Sequence, residues 1–180
     1  MKLLILASGS GTLAQAIIDA KFEVIAIVSD NPNAQVLDRA HKAGIPSKVI
    51  EFKSPRSEWN QQLFEYVDAC QPDLVVSVGF MRILDAKFVE SFKVINSHPS
   101  RLPNFPGAHA VADALDAGAK TTGCTVHWVD AGIDTGAIIA QEEVTVRSDD
   151  DVDSLHERIK IVERKLIVNT LNELKDGTRI

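Results

Sequence analysis

Short apolar runs that alternate with helically spaced segments constrain the fold of this chain more than any other feature. Four such runs occur in the first half: Leu3–Ala7, Val24–Val28, Lys48–Phe52 and Leu74–Val78. Apolar residues at successive positions are typical of strands that are covered on both faces, as in parallel sheets. Because the segments between the runs carry apolar residues at helical intervals, strand and helix alternate. The pattern predicts an α/β fold with a doubly wound, mostly parallel, Rossmann-like sheet and helices on both faces.

The second half of the chain has a different pattern of apolar runs. Two apolar runs, Cys124–Val129 and Ala137–Val146, are separated only by Asp130–Gly136, which predicts a hairpin-like pair of late strands. Ser148 is expected to cap a helix whose first turn carries Asp149–Asp151. Apolar residues at helical spacing then predict a long C-terminal helix: Val152, Leu155, Ile159, Val162 and Leu166. Since no repeat or Pro/Ser-rich linker interrupts the sequence, we expect a single domain over residues 1–180.

Composition excludes several classes of function. The chain has 25 acidic and 19 basic residues, a net charge of −6, and no basic cluster, so a nucleic-acid surface is not expected. Apolar residues make up 45% of the chain without an unbroken membrane-length run, which argues against both disorder and a membrane span. The two cysteines, Cys70 and Cys124, lack Cys-x-x-Cys spacing and indicate neither a disulfide framework nor a zinc site. We therefore expect a protein of the reducing cytoplasm.

A glycine-rich turn follows the first strand and opens a helix. Its residues are Gly9, Ser10, Gly11, Thr12 and Leu13. Backbone N–H groups and a helix N-terminus at one spot favour an anion such as a phosphate, although a simple tight turn gives the same pattern. Asp30 ends the second strand, where a dinucleotide-binding fold keeps its ribose carboxylate, so an NAD-binding oxidoreductase is the alternative interpretation.

Polar residues end the strand that begins at Val94. Asn96 and His98 are two residues apart, so both side chains leave the carboxyl end of this strand on one face. An amide and an imidazole side by side can donate hydrogen bonds to a developing oxyanion. The alternative interpretation is that the two side chains only cap the turn that follows. A carboxylate of the loop Asp130–Gly136 could hold the proton of His98, or could serve only as an Asx turn. His127 is either a supporting residue or an ordinary buried histidine, and no histidine pair has metal-ligand spacing, so no metal is expected.

Taken in order, these motifs resemble the phosphoribosylglycinamide formyltransferase family, which comprises folate-dependent enzymes of purine biosynthesis. The resemblance runs from Leu3 to about Leu166. It is carried by Ala7–Thr12, Gly79–Leu84, Asn96–Pro103, Phe105–Gly107, Val126–Val129, Asp134–Gly136 and Arg158–Glu163. Methionyl-tRNA formyltransferase and formyltetrahydrofolate deformylase share the catalytic residues but carry further domains, for which we expect no room in 180 residues.

The resemblance implies a transferase that moves the formyl group of 10-formyltetrahydrofolate to the amine of glycinamide ribonucleotide. Its catalytic residues would be Asn96, His98 and Asp134, its phosphate loop Gly9 to Leu13, and its ribonucleotide-binding carboxylate Glu163. The implied folate-binding residues are Arg56, Met81, Arg82, Ile83, Leu84, Asn96, Asp130, Ala131, Gly132 and Ile133. Many members have Asn where this chain has Leu13.

The implied mechanism is direct. The amine attacks the formyl carbon, Asn96 and protonated His98 stabilise the oxyanion, and Asp134 favours the imidazolium and helps to move protons. The implied partners are these two small substrates, without metal, nucleic acid or membrane, in a cytoplasmic monomer or homodimer. Alternatives are a formyl-folate enzyme with another amine acceptor, an NAD-binding oxidoreductase and a catalytically silent nucleotide-binding module.

Overall fold

The computed structural model describes residues 1–53 and 55–178. The elements in chain order are β1 (Lys2–Leu6), α1 (Thr12–Asp19), β2 (Glu23–Ser29), α2 (Gln35–Lys42), β3 (Ser47–Val49), α3 (Arg56–Cys70), β4 (Leu74–Val78), α4 (Ala86–Ser91), β5 (Val94–His98), α5 (Ala110–Asp116), β6 (Thr121–Trp128), β7 (Ile138–Thr145) and α6 (Val152–Lys175). The single domain over 1–180 stays a prediction, and residues 54, 179 and 180 of it lie outside the described residues. No helix in the described ranges is both long and apolar enough to cross a membrane.

The strands form a seven-stranded sheet in the order β3-β2-β1-β4-β5-β6-β7. β1 pairs in parallel with β2 and β4, and β2 pairs in parallel with β3. β6 and β7 are antiparallel, with Thr121 opposite Thr145. The sheet is therefore mixed, and it confirms both the α/β fold class and the predicted late hairpin. Contacts divide the chain into two compact units, residues 1–95 and 96–180, which are described in turn.

The core of the unit formed by residues 1–95 is built on β1, β2 and β4. All of β4 is buried, and β1 is buried from Leu3 onward, as expected for strands covered on both faces. The prediction for the third strand, Lys48–Phe52, was wrong in its bounds, because β3 covers only Ser47–Val49. β3 is the edge strand and pairs with Ile27–Ser29. The apolar residues that continue beyond Val49 did not reveal where this pairing stops.

The unit formed by residues 96–180 contains the late hairpin and the predicted long helix α6. Ser148 does not cap this helix. Asp151 is the N-cap: its side chain accepts a hydrogen bond from the N–H of Ser154, and the Ser154 hydroxyl accepts one from the N–H of Asp151. This capping box satisfies two N–H groups at once, whereas Asp150, which precedes the helix, accepts bonds from the N–H of Arg147 and from the guanidinium of Arg158 in α6.

The buried face of α6 differs from the predicted one. Its buried residues are Leu155, Ile159, Glu163, Leu166, Ile167, Thr170 and Leu171. Val152 is exposed and Val162 is only half-buried. Because a helix turns about 100° per residue, Glu163 lies near the middle of the buried arc and Val162 at its border. A carboxyl group thus occupies a place where the apolar pattern alone predicts an aliphatic side chain.

Glu163 is 3% exposed, and its Oε1 accepts a hydrogen bond of 2.8 Å from the Ser97 hydroxyl in β5. Burial raises the pKa of Glu163 above its ordinary value of 4.5, although the hydrogen bond from Ser97 and the charges of Lys160 and Arg164 act against this rise. The nearby Cys124 thiol is also buried, and burial together with Glu163 and Glu142 raises its pKa to about 12. Cys124 is therefore an inert thiol at neutral pH.

Replacement of Glu163 by Gln should stabilise the protein increasingly as the pH rises. A raised native pKa means that the native state binds more protons than the unfolded chain, so wild-type stability falls as the pH rises from 4.5 through the native pKa. The glutamine side chain has no charge to bury and still accepts the Ser97 bond. Thermal melts from about pH 4 to about pH 8 should show an increasing Tm advantage, at about 2–4 °C per kcal/mol.

The control for this measurement is Glu90→Gln, which removes an exposed carboxylate. If the Tm difference between Glu163→Gln and the wild type does not change with pH, the carboxyl group of Glu163 is not kept protonated by burial.

Candidate active site

The end of β5 presents alternate side chains to opposite faces of the sheet. Asn96 and His98 lie on one face, and Ser97 between them points to the other, where it contacts Glu163 of α6. His98 is 4% exposed. The predicted common face of Asn96 and His98 therefore follows directly from the pleat of the strand.

Asp134 lies in the hairpin loop between β6 and β7 and reaches the residues at the end of β5. Its Oδ2 is 3.4 Å from Nδ1 of His98 and accepts a hydrogen bond of 2.8 Å from the N–H of Gly107. Its Oδ1 is 3.5 Å from Nε2 of His127. The structure thus brings Asn96, His98 and Asp134 together, and one carboxylate contacts two imidazoles.

The two carboxylates of this loop have different roles. Asp130 Oδ1 accepts bonds from the Gly132 N–H (3.0 Å) and the Thr135 hydroxyl (2.7 Å), so Asp130 forms the Asx turn. Asp134 has φ 53°, a left-handed conformation that Asp and Asn adopt more readily than most residues. The predicted Asx turn is formed by Asp130, and Asp134 is the loop carboxylate that lies next to His98.

His98 has an oxygen atom opposite each ring nitrogen. Its Nε2 lies 2.8 Å from the carbonyl oxygen of Phe105, which can only accept, so Nε2 carries a proton and donates it. Its Nδ1 faces the Asp134 carboxylate. Two acceptors around one ring suit the doubly protonated imidazolium. The Nδ1 contact is longer than an ordinary hydrogen bond, so the bond from Nε2 to Phe105 is the stronger of the two.

His127 also belongs to this cluster. The sequence alone allowed two interpretations of it, as a supporting residue or as an ordinary buried histidine. Its Nδ1 lies 2.8 Å from the carbonyl oxygen of Trp128 and therefore donates to it. In the neutral ring Nε2 is then an acceptor, and Asn96 Nδ2 lies 3.3 Å from it. In the charged ring the same Nε2 donates to Asp134. The ring, which is buried, thereby orients both the Asn96 amide and the Asp134 carboxylate.

The contacts of Asp134 keep its carboxyl group ionised. Burial acts to raise the pKa of Asp134, but the hydrogen bonds from His127 and the Gly107 N–H, with the charges of His98 and His127, outweigh it. The pKa is lowered below its ordinary value of 3.8. At neutral pH the cluster thus contains a permanent negative charge beside two groups that can carry positive charge.

The predicted phosphate turn lies in the first unit. Gly11 is the N-cap of α1 with φ 68°, and a Cβ atom there would lie 2.5 Å from Cγ2 of Val36. The carbonyl oxygens of Gly9 and Ser10 accept bonds from the Val36 N–H and from Nε of Arg39. The first N–H groups of a helix have no partner within the helix, so those of α1 are the groups that can bind an anion. Arg39 is a cation beside this turn that sequence reasoning missed, since nothing in a surface helix pattern marks it.

The predicted folate segment also lies in the first unit. Met81 and Ile83 are 58% and 49% exposed, whereas Leu84 is buried. Arg82 is paired with Asp30, and Arg56 donates to the carbonyl oxygen of Ile83 at 2.5 Å. In the loop 130–136, Ile133 is 54% exposed and Ala131 and Gly132 are exposed. Folate binding by these residues, and ribonucleotide binding by Glu163, stay predictions.

Within residues 1–53 and 55–178, no group of three or more His, Cys, Asp or Glu side chains has the arrangement of a metal site. The polar groups that meet at the cluster are an amide, two imidazoles and a carboxylate. Such a set can stabilise an oxyanion and exchange protons.

Comparison with known proteins places this geometry in a family. The formyl transferase family matches residues 1–171. A phosphoribosylglycinamide formyltransferase of Mycobacterium tuberculosis is 44% identical over 93% of this chain and 81% of its own length. The trifunctional purine biosynthetic protein adenosine-3 of Drosophila melanogaster is 42% identical over 98% of this chain, which spans only 14% of that longer protein.

Solved structures agree with the sequence comparison. Glycinamide ribonucleotide transformylase 1 of Symbiobacterium toebii has a TM-score of 0.94 at 35% identity, covering 98% of this chain and 88% of its own. Phosphoribosylglycinamide formyltransferase of Streptococcus pneumoniae has a TM-score of 0.91 at 36% identity, covering 96% and 98%. A family match over almost the whole chain and 44% identity to a relative of comparable length establish that this chain belongs to the formyl transferase family, among the phosphoribosylglycinamide formyltransferases.

Proposed function

We propose that this chain transfers the formyl group of 10-formyltetrahydrofolate to the amine of glycinamide ribonucleotide, in the purine biosynthesis for which its relatives are named. The observation that carries the proposal is the Asp134 carboxylate shared by His98 and His127, with the Asn96 amide beside His127. The family supplies the formyl-folate chemistry, and this cluster supplies the groups that acyl transfer between a formyl donor and an amine requires.

In the proposed mechanism the protein stabilises charge at the formyl oxygen as the amine nitrogen bonds to the formyl carbon. Asn96 donates through its Nδ2–H. His98 is held by the short bond from Nε2 to the Phe105 carbonyl and donates through Nδ1–H, whose contact with Asp134 is long. Asp134 stabilises the imidazolium through its negative charge and helps to move the proton that the amine loses to the leaving folate nitrogen.

Each substrate has proposed contacts of its own. The phosphate binds the N–H groups of Gly9 to Leu13, where Arg39 adds positive charge next to the turn. The exposed apolar side chains of Met81 and Ile83 offer a surface for a flat folate ring. We further propose that both substrates are free small molecules and that the protein acts in the cytoplasm.

One observation disfavours the NAD-binding alternative. The Asp30 side chain is 2% exposed and bonded to Arg82, so this carboxylate is not presented to a ribose. The deciding experiment is a spectrophotometric assay of formyl transfer with glycinamide ribonucleotide and 10-formyltetrahydrofolate, accompanied by calorimetry with NAD. Turnover supports the proposal. Tight NAD binding without ribonucleotide binding would refute it, and turnover only with another amine would show a different acceptor.

Gly11→Val should abolish ribonucleotide binding, whereas Leu13→Ala should change the affinity by no more than about threefold. The valine side chain meets Val36 and its backbone disfavours φ 68°, while backbone N–H groups are unaffected by the side chain at position 13. Calorimetric titration with the ribonucleotide measures both. Gly44→Val is the matched control, because Gly44 has φ 67° but open space around it. Comparable large losses for Gly11→Val and Leu13→Ala would mean that the Leu13 side chain is part of the site.

Asn96→Ala and His98→Ala should each lower kcat on the order of 10²-fold while weakening ground-state binding much less. Loss of one oxyanion donor typically has an effect of this size. Steady-state kinetics and ligand titration separate the two effects, and His41→Ala, at an exposed histidine of α2, is the control. Full activity in a folded His98→Ala protein would remove His98 from the mechanism.

Asp134→Asn should lower kcat by a similar factor without disturbing the loop, since Asn tolerates φ 53° as Asp does. In the wild type the contribution of the charge persists above the lowered pKa of Asp134 and is lost as the pH falls through it. A ¹³C NMR titration should therefore give the Asp134 carboxyl a midpoint below 3.8. An Asn variant with wild-type kcat would reduce Asp134 to a loop-structuring residue.

A further inference from the structure

Asp30 carries a carboxylate at the carboxyl end of β2 that the mechanism above does not use. Its side chain is 2% exposed. Oδ2 accepts a bond of 2.6 Å from Nε of Arg82, whereas Oδ1 is buried and has no hydrogen-bond partner within residues 1–53 and 55–178. A buried carboxylate needs compensation, and in this part of the chain Arg82 alone supplies it by a side-chain hydrogen bond. Asp30 and Arg82 therefore depend on each other.

The Arg82 guanidinium is held from a second side as well. Its Cζ lies 4.2 Å from the centroid of the Phe52 ring, a cation–π contact. The guanidinium is thus fixed by a carboxylate and an aromatic ring, although its side chain is 37% exposed. The charge-assisted hydrogen bond and the cation–π contact together select one of the many conformations that the long Arg82 side chain could adopt.

Residues 79–85 form neither helix nor strand, so backbone pairing within a regular element does not fix them. Side-chain bonds do so instead: the Ser8 hydroxyl accepts from the Met81 N–H at 2.9 Å, and Arg56 donates to the Ile83 carbonyl. Arg82 adds the third attachment. These bonds hold the exposed side chains of Met81 and Ile83 in place on either side of Arg82, and a surface ordered in advance binds a ring at a lower entropic cost.

We propose that Asp30 is a positioning residue for the folate donor: its buried carboxylate orients Arg82 and thereby orders the segment Met81–Leu84. This inference rests on the proposed function, in which that segment binds the donor. Asp30 does not touch the donor or the reacting atoms. Its effect should therefore appear in donor affinity and should act through Arg82.

The test measures tetrahydrofolate binding by calorimetry, which requires no turnover. Asp30→Asn keeps the shape of the side chain and removes its charge, and it should weaken tetrahydrofolate binding about tenfold. Ribonucleotide affinity and kcat at saturating donor should stay within about twofold of the wild type. Asp38→Asn, at an exposed aspartate of α2, is the matched control and should bind like the wild type.

A double-mutant cycle shows whether Asp30 acts through Arg82. Arg82→Met should weaken binding by itself, and adding Asp30→Asn to it should cause no further loss. If Asp30→Asn fails to fold, Arg82→Lys, which keeps the charge but loses the planar donor geometry, should show the same loss of donor affinity. Equal tetrahydrofolate affinity in the wild type and these variants, or additive losses in the cycle, would overturn the inference and leave the proposed function intact. Failure of the wild type to bind tetrahydrofolate would overturn both.

Discussion

The Asp134 carboxylate is the interaction on which the polar end of β5 and the hairpin of β6 and β7 jointly depend. It contacts two imidazoles and one backbone N–H, and it comes from a residue with a left-handed backbone. These contacts compensate both the partial burial of a charge and the local backbone cost. Because the same carboxylate contacts His98 and His127, the loop conformation and the orientation of the two imidazole rings are set together.

Three acidic residues in this protein show three ways to bury a carboxyl group. Asp134 stays ionised because hydrogen bonds and nearby positive charge outweigh its desolvation. Glu163 is pushed toward its neutral form, since a serine hydroxyl is a weaker compensation in the middle of an apolar helix face. Asp30 is buried and bonded to Arg82, whose side chain is 37% exposed. Because each of these side chains is largely withdrawn from solvent, the difference between the three carboxyl groups lies in the side chains and N–H groups that contact them.

Sequence patterns predicted the regular elements well where burial is two-sided or periodic. β1, β4 and the long α6 follow the expected apolar patterns along most of their length. The errors concern the ends of elements and the edge of the buried face of α6. Ser148 and Asp151 are both good N-cap residues, and only the reciprocal bond with Ser154 decides between them. Val162 fits the apolar pattern of α6 as well as its neighbours do. The packing of the helix nevertheless buries Glu163, which contacts Ser97 of β5.

By itself the sequence determined the α/β architecture, since the alternation of apolar runs and helical segments leaves few topologies, and the ordered motifs determined the family. It also placed Asn96 and His98 on one face, because that follows from the two-residue period of a strand. The family resemblance already assigned Asp134 to His98, whereas tertiary structure alone decided that His127 contacts the same carboxylate and that Asp30 is bonded to Arg82. These contacts join residues that are distant along the chain, and local patterns carry no information about which distant side chains meet.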